Sequence, residues 1–449
     1  MNNKTSFYQR ASLPISHQWH TCRLKDIALI NPVLSLSNFS PDEHACFLPM
    51  EHVSVLDEPS YSLQKKIKDI STGLTNFERS DVIIAKITPC FENGKGACLD
   101  KMPSQIGFGS TEFHVLRPGR STSSRFLYFL TKSSLFMKQG EALMTGSAGQ
   151  KRVPYSFISN FQLSLPPIHE QFNIARFLDE KTTGIEKAVN IKKQQIDLLK
   201  ERKQILIQNA VTRGLEPNAP MRDSGIEWIG EVPQHWRINH NRTLFTERVE
   251  PGNEGLPLLT VSIRSGVSTG ELSEDDNLRG RVKIEDQTKY SLVQPGDIVY
   301  NMMRAWQGAI GAVTTTGMVS PAYTVATPDS RIRPKYFEYL YRTPLFIHQM
   351  DRHSKGITDF RKRLYWQEFK QMLSLVPPLY EQDRIVQHID QESTRIDRAI
   401  SLFQGQIERL KEYRATLIDS AVTGKIRVPG VEDPAPALSM DGPKENSWI

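Results

Sequence analysis

Hydrophobic residues recur every seven positions along two separated stretches of this chain. In the later stretch Ile389, Ile396, Phe403, Leu410 and Leu417 keep the step, and Ile385, Ile400 and Ile407 widen the stripe. In the earlier one Leu178, Ile185, Leu199 and Leu206 hold the same phase, with Lys192 as the exception. Sustained sevenfold recurrence predicts long helices that bury one stripe against another helix. Each stretch opens on a proline pair, tolerated in a first helical turn because no N–H is needed there. Glu170 and Glu381 follow and favour the positive end of the helix.

The two stretches are copies. "LPPIHEQFNIARFLDEKTTGIEKA" (165–188) aligns without a gap on "VPPLYEQDRIVQHIDQESTRIDRA" (376–399). Glu170–Gln171 falls on Glu381–Gln382, Asp179 on Asp390, and Ala210-Val211-Thr212 on Ala421-Val422-Thr423. An ungapped match of this length marks an internal repeat. A helix of about 45 residues spans roughly 65 Å at 1.5 Å per residue. With a single apolar stripe it needs a partner, and its own copy is the nearest one. Antiparallel pairing follows because a domain of about 150 residues separates the copies. The plainer alternative is that each helix packs singly into an ordinary core. Lys192, Gly184 and Gly405 weaken the seam locally, or mark places where another chain's helices approach.

Between the helices the period changes from seven to two. Short β-rich runs broken by Gly and Pro precede an aromatic-bearing helix and then a basic loop, and this order occurs twice. "SDVIIAKI" (80–87) resembles "GDIVYNMM" (296–303), "RFLYFLTKSSLF" (125–136) resembles "KYFEYLYRTPLF" (335–346), and "GQKRVPYSFI" (149–158) resembles "FRKRLYWQEF" (360–369). The expected fold is therefore α+β, a tandem duplication with pseudo-two-fold character. Two β-rich domains, 1–160 and 216–372, are separated by two long antiparallel helices forming a coiled coil, 161–215 and 373–426. A Pro-rich, acidic tail, 427–449, has the composition of a disordered segment. Trp228 and Trp236, in the turn-rich linker 216–236, are expected as packing anchors.

Composition then narrows the function. The 449 residues are 39% hydrophobic and 24% charged, with no apolar run of membrane-spanning length. The first twenty residues contain no apolar core segment, which argues against a secretory signal and for a cytoplasmic protein. Cys22, Cys46, Cys90 and Cys98 form no Cys-x-x-Cys pair, so free thiols are expected and no metal site. The net charge of +6 permits a nucleic-acid partner. With 18 basic and 13 acidic residues in 1–160, any such surface has to be a local cluster.

The paired helices, the linker "DSGIEWIGEVPQHW" and the strand "LVQPGDIVYNMMRAWQGAIGAV" together resemble the specificity subunits of type I restriction–modification enzymes. The resemblance covers nearly the whole chain. It implies two target-recognition domains, each reading one half of a bipartite, asymmetric site on double-stranded DNA. The helices would act as ruler and docking surface for modification (methyltransferase) subunits, two by the symmetry. It further implies that S-adenosylmethionine, ATP and Mg belong to partner subunits, the modification and restriction (translocase/nuclease) subunits, and that this chain is not catalytic.

Base edges are read by side chains with paired donors: Arg or Lys for guanine, Asn or Gln for adenine. In the second domain the candidates are Lys355, Arg361, Lys362 and Arg363 in a Gly-containing basic loop, with Asn301 and Arg304 at a strand end. In the first they are Gln150, Lys151 and Arg152 after "TGSAG", with Lys86, Asn93 and Lys95 near the matching strand end. The competing reading makes them solvated surface charges. Enzymatic marks are scarce. The proline pairs are not the Asn/Asp-Pro-Pro-Tyr/Phe loop that holds a flipped adenine, and no P-loop or His-Glu-x-x-His occurs. A loose Asp359…Glu368-x-Lys370 trace leaves an Mg-dependent nuclease as one alternative; a coiled-coil adaptor without DNA affinity is the other.

Overall fold

The computed structural model describes residues 19–55, 58–147, 149–263, 266–269, 289–356 and 361–429. Asp359, His17 and tail residues 430–449 lie outside them. The chain forms two compact units, residues 1–192 with 404–449 and residues 193–403. Each unit takes its strands from one sequence domain and its helical turns from both copies of the repeat. The architecture is mixed α+β, and no described helix is long and apolar enough to cross a membrane.

In the first unit a four-stranded antiparallel sheet has the spatial order Ala28–Ile30, Phe113–Pro118, Val82–Ala85, Gly96–Cys98. A second four-stranded sheet packs Cys46, Leu48 and Phe77 against Ile83, Val115 and Phe113 of the first. The second unit repeats the first sheet as Phe245–Glu247, Tyr323–Pro328, Ile298–Asn301, Ile310–Ala312. Val82 faces Leu116 as Ile298 faces Ala326, so the runs "VIIA" and "IVYN" are corresponding central strands, buried on both faces. That double burial explains why they lack an alternating pattern.

After each sheet comes the aromatic helix, Ser124–Thr131 or Pro334–Tyr341, and then a second one, Ser134–Ala142 or Pro344–His353, capped by Ser133 or Thr343. Each cap's hydroxyl accepts from the N–H three residues on, Phe136 or Phe346. The long helices run Ile168–Arg213 and Leu379–Val422. Within the first unit Arg414 donates to Glu186 at 3.5 Å; within the second, Lys203 meets Asp397 at 2.7 Å and Arg384 meets Glu216 at 2.9 Å. Moving from 203 on the first helix to 216 just past its end means moving back along the second from 397 to 384, so these segments pair antiparallel. Leu178, Ile185, Ile389, Ile396 and Leu417 are buried, while Leu199, Leu206, Phe403 and Leu410 are half-buried. The apolar seam supplies the stabilisation, since exposed ion pairs contribute little. Gly184 and Gly405 have open space where a Cβ would sit.

Two devices at the helix starts account for residues the repeat preserves without an apolar role. Gln171 is fully buried: its amide oxygen accepts from Ser123 N–H at 2.8 Å and its amide nitrogen donates to the Ser121 and Pro166 carbonyls. Gln382 does the same with Arg333 N–H and the Arg331 and Pro377 carbonyls. Each glutamine thus latches a long helix to the backbone leading into the aromatic helix before it. Beside it, Glu170 accepts from the Trp19 indole at 3.0 Å and Glu381 from the Trp236 indole at 3.1 Å. Trp236 packs on Gly214, just past the end of the other long helix, and Trp19 packs on Gly424. Both glycines are left-handed (φ +76° and +71°), and a Cβ on Gly214 would lie 3.0 Å from Glu381 Oε1. The end of one helix is therefore clasped to the start of the other once in each unit. Trp228 is a packing anchor, edge-on to Phe346 at 5.2 Å.

Candidate nucleic-acid interface

The basic loops fold as matching hairpins. Thr145 and Arg152 exchange backbone hydrogen bonds at 3.0 and 2.8 Å, and Lys355 and Arg363 exchange theirs at 2.9 and 2.8 Å. The next residue in each case ties the hairpin to the exit of the central strand: Val153 N–H donates to the Lys86 carbonyl and Leu364 N–H to the Met302 carbonyl. Lys86 and Met302 in turn donate to the carbonyls of Glu112 and Ala322. Three loops converge at the same edge of each sheet. Val153 and Leu364 are buried there, which fixes the base of each hairpin.

Of the candidates in the first unit, Gln150, Lys151 and Arg152 are exposed on the hairpin and Lys86 is half-buried beneath it. Lys151 N–H donates to the Thr88 hydroxyl, binding the hairpin to the turn that follows the strand. Arg152 is held by Glu112, its Nε at 3.0 and 3.2 Å from the two carboxylate oxygens and Nη2 at 2.7 Å. That bidentate guanidinium holds the Glu112 carboxyl below the usual carboxylate range. Asn93 and Lys95 are separate from this group. Asn93 lines a cavity of about 610 Å³ with Lys132 and Arg125, and Lys95 donates to the Met50 carbonyl at 3.2 Å.

In the second unit Arg361 is exposed and Lys362 and Arg363 are half-buried on the hairpin. Lys362 bonds Asp351 at 2.6 Å and lies 5.1 Å from the centre of the Trp306 ring. Lys355 is paired with Glu368. Asn301 is buried, and its side-chain oxygen accepts from Met303 N–H at 2.9 Å, which shapes the turn out of the strand. Arg304 follows it, half-buried, immediately before the short helical turn bearing Trp306. Sequence pattern located these cations but not their acidic partners: Glu112 and Asp351 lie about 40 and 11 positions from the residues they hold. No group of three or more His, Cys, Asp or Glu able to hold a metal occurs among the described residues.

Comparison with known proteins gives a consistent picture. A family model described as the type I restriction modification DNA specificity domain matches residues 17–198. The EcoAI specificity subunit of Escherichia coli is 43% identical over 164 residues, covering 36% of this chain and 27% of that protein. The EcoEI specificity subunit, also from Escherichia coli, is 30% identical over 290 residues, covering 64% of this chain and 46% of that protein. The chain thus spans less than half the length of either relative. A solved chain, from work on complex assembly and conformational transition of a type I R-M system, superposes with a TM-score of 0.67. It is 15% identical, and the match covers 92% of this chain and 100% of that one.

Proposed function

We propose that the chain, similar over residues 17–198 to the type I restriction modification DNA specificity domain and over part of its length to two specificity subunits, is the DNA-recognition subunit of such a complex. Each β-rich domain reads one half of a bipartite, asymmetric duplex site, and the paired helices set the spacing and dock modification subunits. The observation that carries this reading is the duplicated basic hairpin, tied in both units to the exit of a central strand. Its Arg and Lys residues supply phosphate and base-edge contacts. The flanking loops differ between the two domains, as reading two unlike half-sites requires. Half-sites read from one face of B-DNA lie about one turn, roughly 34 Å, apart.

A second apolar line on the first long helix supports the docking role. Ile191, Leu198 and Ile205 step by seven beside the seam and are 54%, 64% and 53% exposed. Such a line favours a further helix laid along it. Methyl transfer, ATP hydrolysis and cleavage would then belong to the docked modification and restriction subunits, which supply S-adenosylmethionine, ATP and Mg.

Methylome sequencing of a host carrying the chain with its modification partner tests the assignment. The expected result is one split adenine-methylation motif with a fixed gap. Exchanging residues 216–372 for those of another specificity subunit should rewrite one half and leave the other half and the gap unchanged. Methylation of a single continuous motif, or alteration of both halves, would refute the reading.

A further inference from the structure

Carboxylates hold Arg152 of the first hairpin and Lys355 and Lys362 of the second, and they are different ones. Arg152 is clamped by Glu112, whose carbonyl accepts the Lys86 N–H at the strand exit. The corresponding position in the second unit is Ala322, which has no carboxylate. There the same neutralisation comes from elsewhere: Asp351 on Lys362 at 2.6 Å, and Glu368 on Lys355. Two unrelated arrangements reach the same electrostatic result at the same place. Hairpin folding does not call for them, since both hairpins are already closed by reciprocal backbone hydrogen bonds and anchored by Val153 and Leu364.

We propose that Glu112, and Asp351 with Glu368, are specificity-determining residues that suppress binding to non-target DNA. This rests on the DNA-recognition reading above. A free Arg or Lys meets any phosphate with equal gain, so uncovered loop cations would raise affinity for every sequence. A cation already held by a carboxylate has to leave it before meeting DNA. That loss is offset only where base contacts form at the same time, so the penalty falls on the wrong sequence.

The probe is a random-sequence duplex, titrated with the full chain and its modification partner over a range of salt concentrations. Glu112→Gln keeps the side chain's shape and removes its charge. Freeing one cation should tighten random-duplex binding about eightfold at 0.1 M salt and steepen the log–log salt slope by about 0.9. In the Glu112→Gln/Arg152→Ala double variant the gain should vanish. Asp351→Asn makes the same test through the other unit and stands in if the first variant does not fold. Random-duplex affinity that is unchanged or weaker in variants that melt like the unaltered protein would overturn the proposal. Failure of the unaltered complex to bind any duplex would instead overturn the DNA-recognition reading, and this inference with it.

Discussion

The two β-rich units hold a buried aspartate at the same point and neutralise it from different strands. Asp81 and Asp297 precede the central strands, are 1% and 2% exposed, and accept the N–H three residues back, from Glu78 and Gln294. In the first unit the guanidinium is Arg117, on the strand beside the central one, with Nε and Nη2 both at 2.9 Å. The register places Thr327 at that position in the second unit, and its hydroxyl donates to Asp297 at 2.9 Å. The guanidinium there is Arg248, from the next strand over. Its counterpart Asn31 has φ +52°, a left-handed conformation that asparagine accepts and arginine resists. Divergence has moved the cation while the charge requirement stayed. A duplicated fold constrains the interaction more tightly than the residue that supplies it.

Removing the two arginines breaks this comparison with the largest effect. Stripping the partner from a buried carboxylate costs about 3–5 kcal/mol. Arg117→Met leaves Asp81 with the Glu78 N–H, whereas Arg248→Met leaves Asp297 with the Gln294 N–H and the Thr327 hydroxyl. Urea denaturation should find both variants destabilised, with Arg117→Met worse by about 1 kcal/mol, the value of one hydrogen bond. Equal losses would mean that Thr327 contributes nothing to holding Asp297.

The glutamine latches sharpen the opposite side, where the units do not differ. Gln171 and Gln382 each make three hydrogen bonds of 2.8–3.0 Å to backbone groups in corresponding positions. Gln171→Ala and Gln382→Ala should each cost about 3 kcal/mol, at about 1 kcal/mol per bond. The two losses should agree within about 0.5 kcal/mol, measured by the shift in urea midpoint at constant slope. Unequal losses would show that the repeat preserves the residue without preserving its function.

How far the sequence could be read follows the same division. The seam, the helix bounds and the matched central strands were legible because each is a periodic or repeated apolar pattern, such as Ile389–Ile396 or "VIIA" against "IVYN". The aligned Glu–Gln pairs were visible as repeat identities, but their work was not. Gln171 bonds Ser121 and Ser123, about fifty positions earlier, and only tertiary structure brings those backbone groups to it. The basic clusters were visible as composition, whereas the backbone pairing that closes them at Arg152 and Arg363 was not. That Asn301 turns inward to shape a bend was hidden, because an asparagine at a strand end reads the same whether it faces DNA or its own backbone.

A smaller contrast lies on the aromatic helices and gives a pH dependence. Lys132 ends the first helix, with Nζ bonded to the Gly94 and Gly96 carbonyls and lying 4.9 Å from the Tyr128 ring centre. Arg342 has the matching place in the second unit, and there Glu338 stands where Tyr128 does, 3.9 Å from the guanidinium. Without such a carboxylate, burial pushes the Lys132 ammonium down to about 7, with Arg414 adding repulsion. In the unfolded chain it titrates near 10.4. Between those values the unfolded state carries one more proton than the folded state, so this residue makes stability rise with pH from about 7 to about 10. Partial exposure and the two carbonyls, which favour the charged form, reduce the gain to something on the order of 2 kcal/mol. Lys132→Met should therefore flatten the rise in urea midpoint between pH 7 and pH 9.5, and Tyr128→Glu, which copies the second unit, should abolish it by holding the ammonium charged. A slope that survives both changes would assign the pH dependence to other groups and leave Lys132 an ordinary charged lysine.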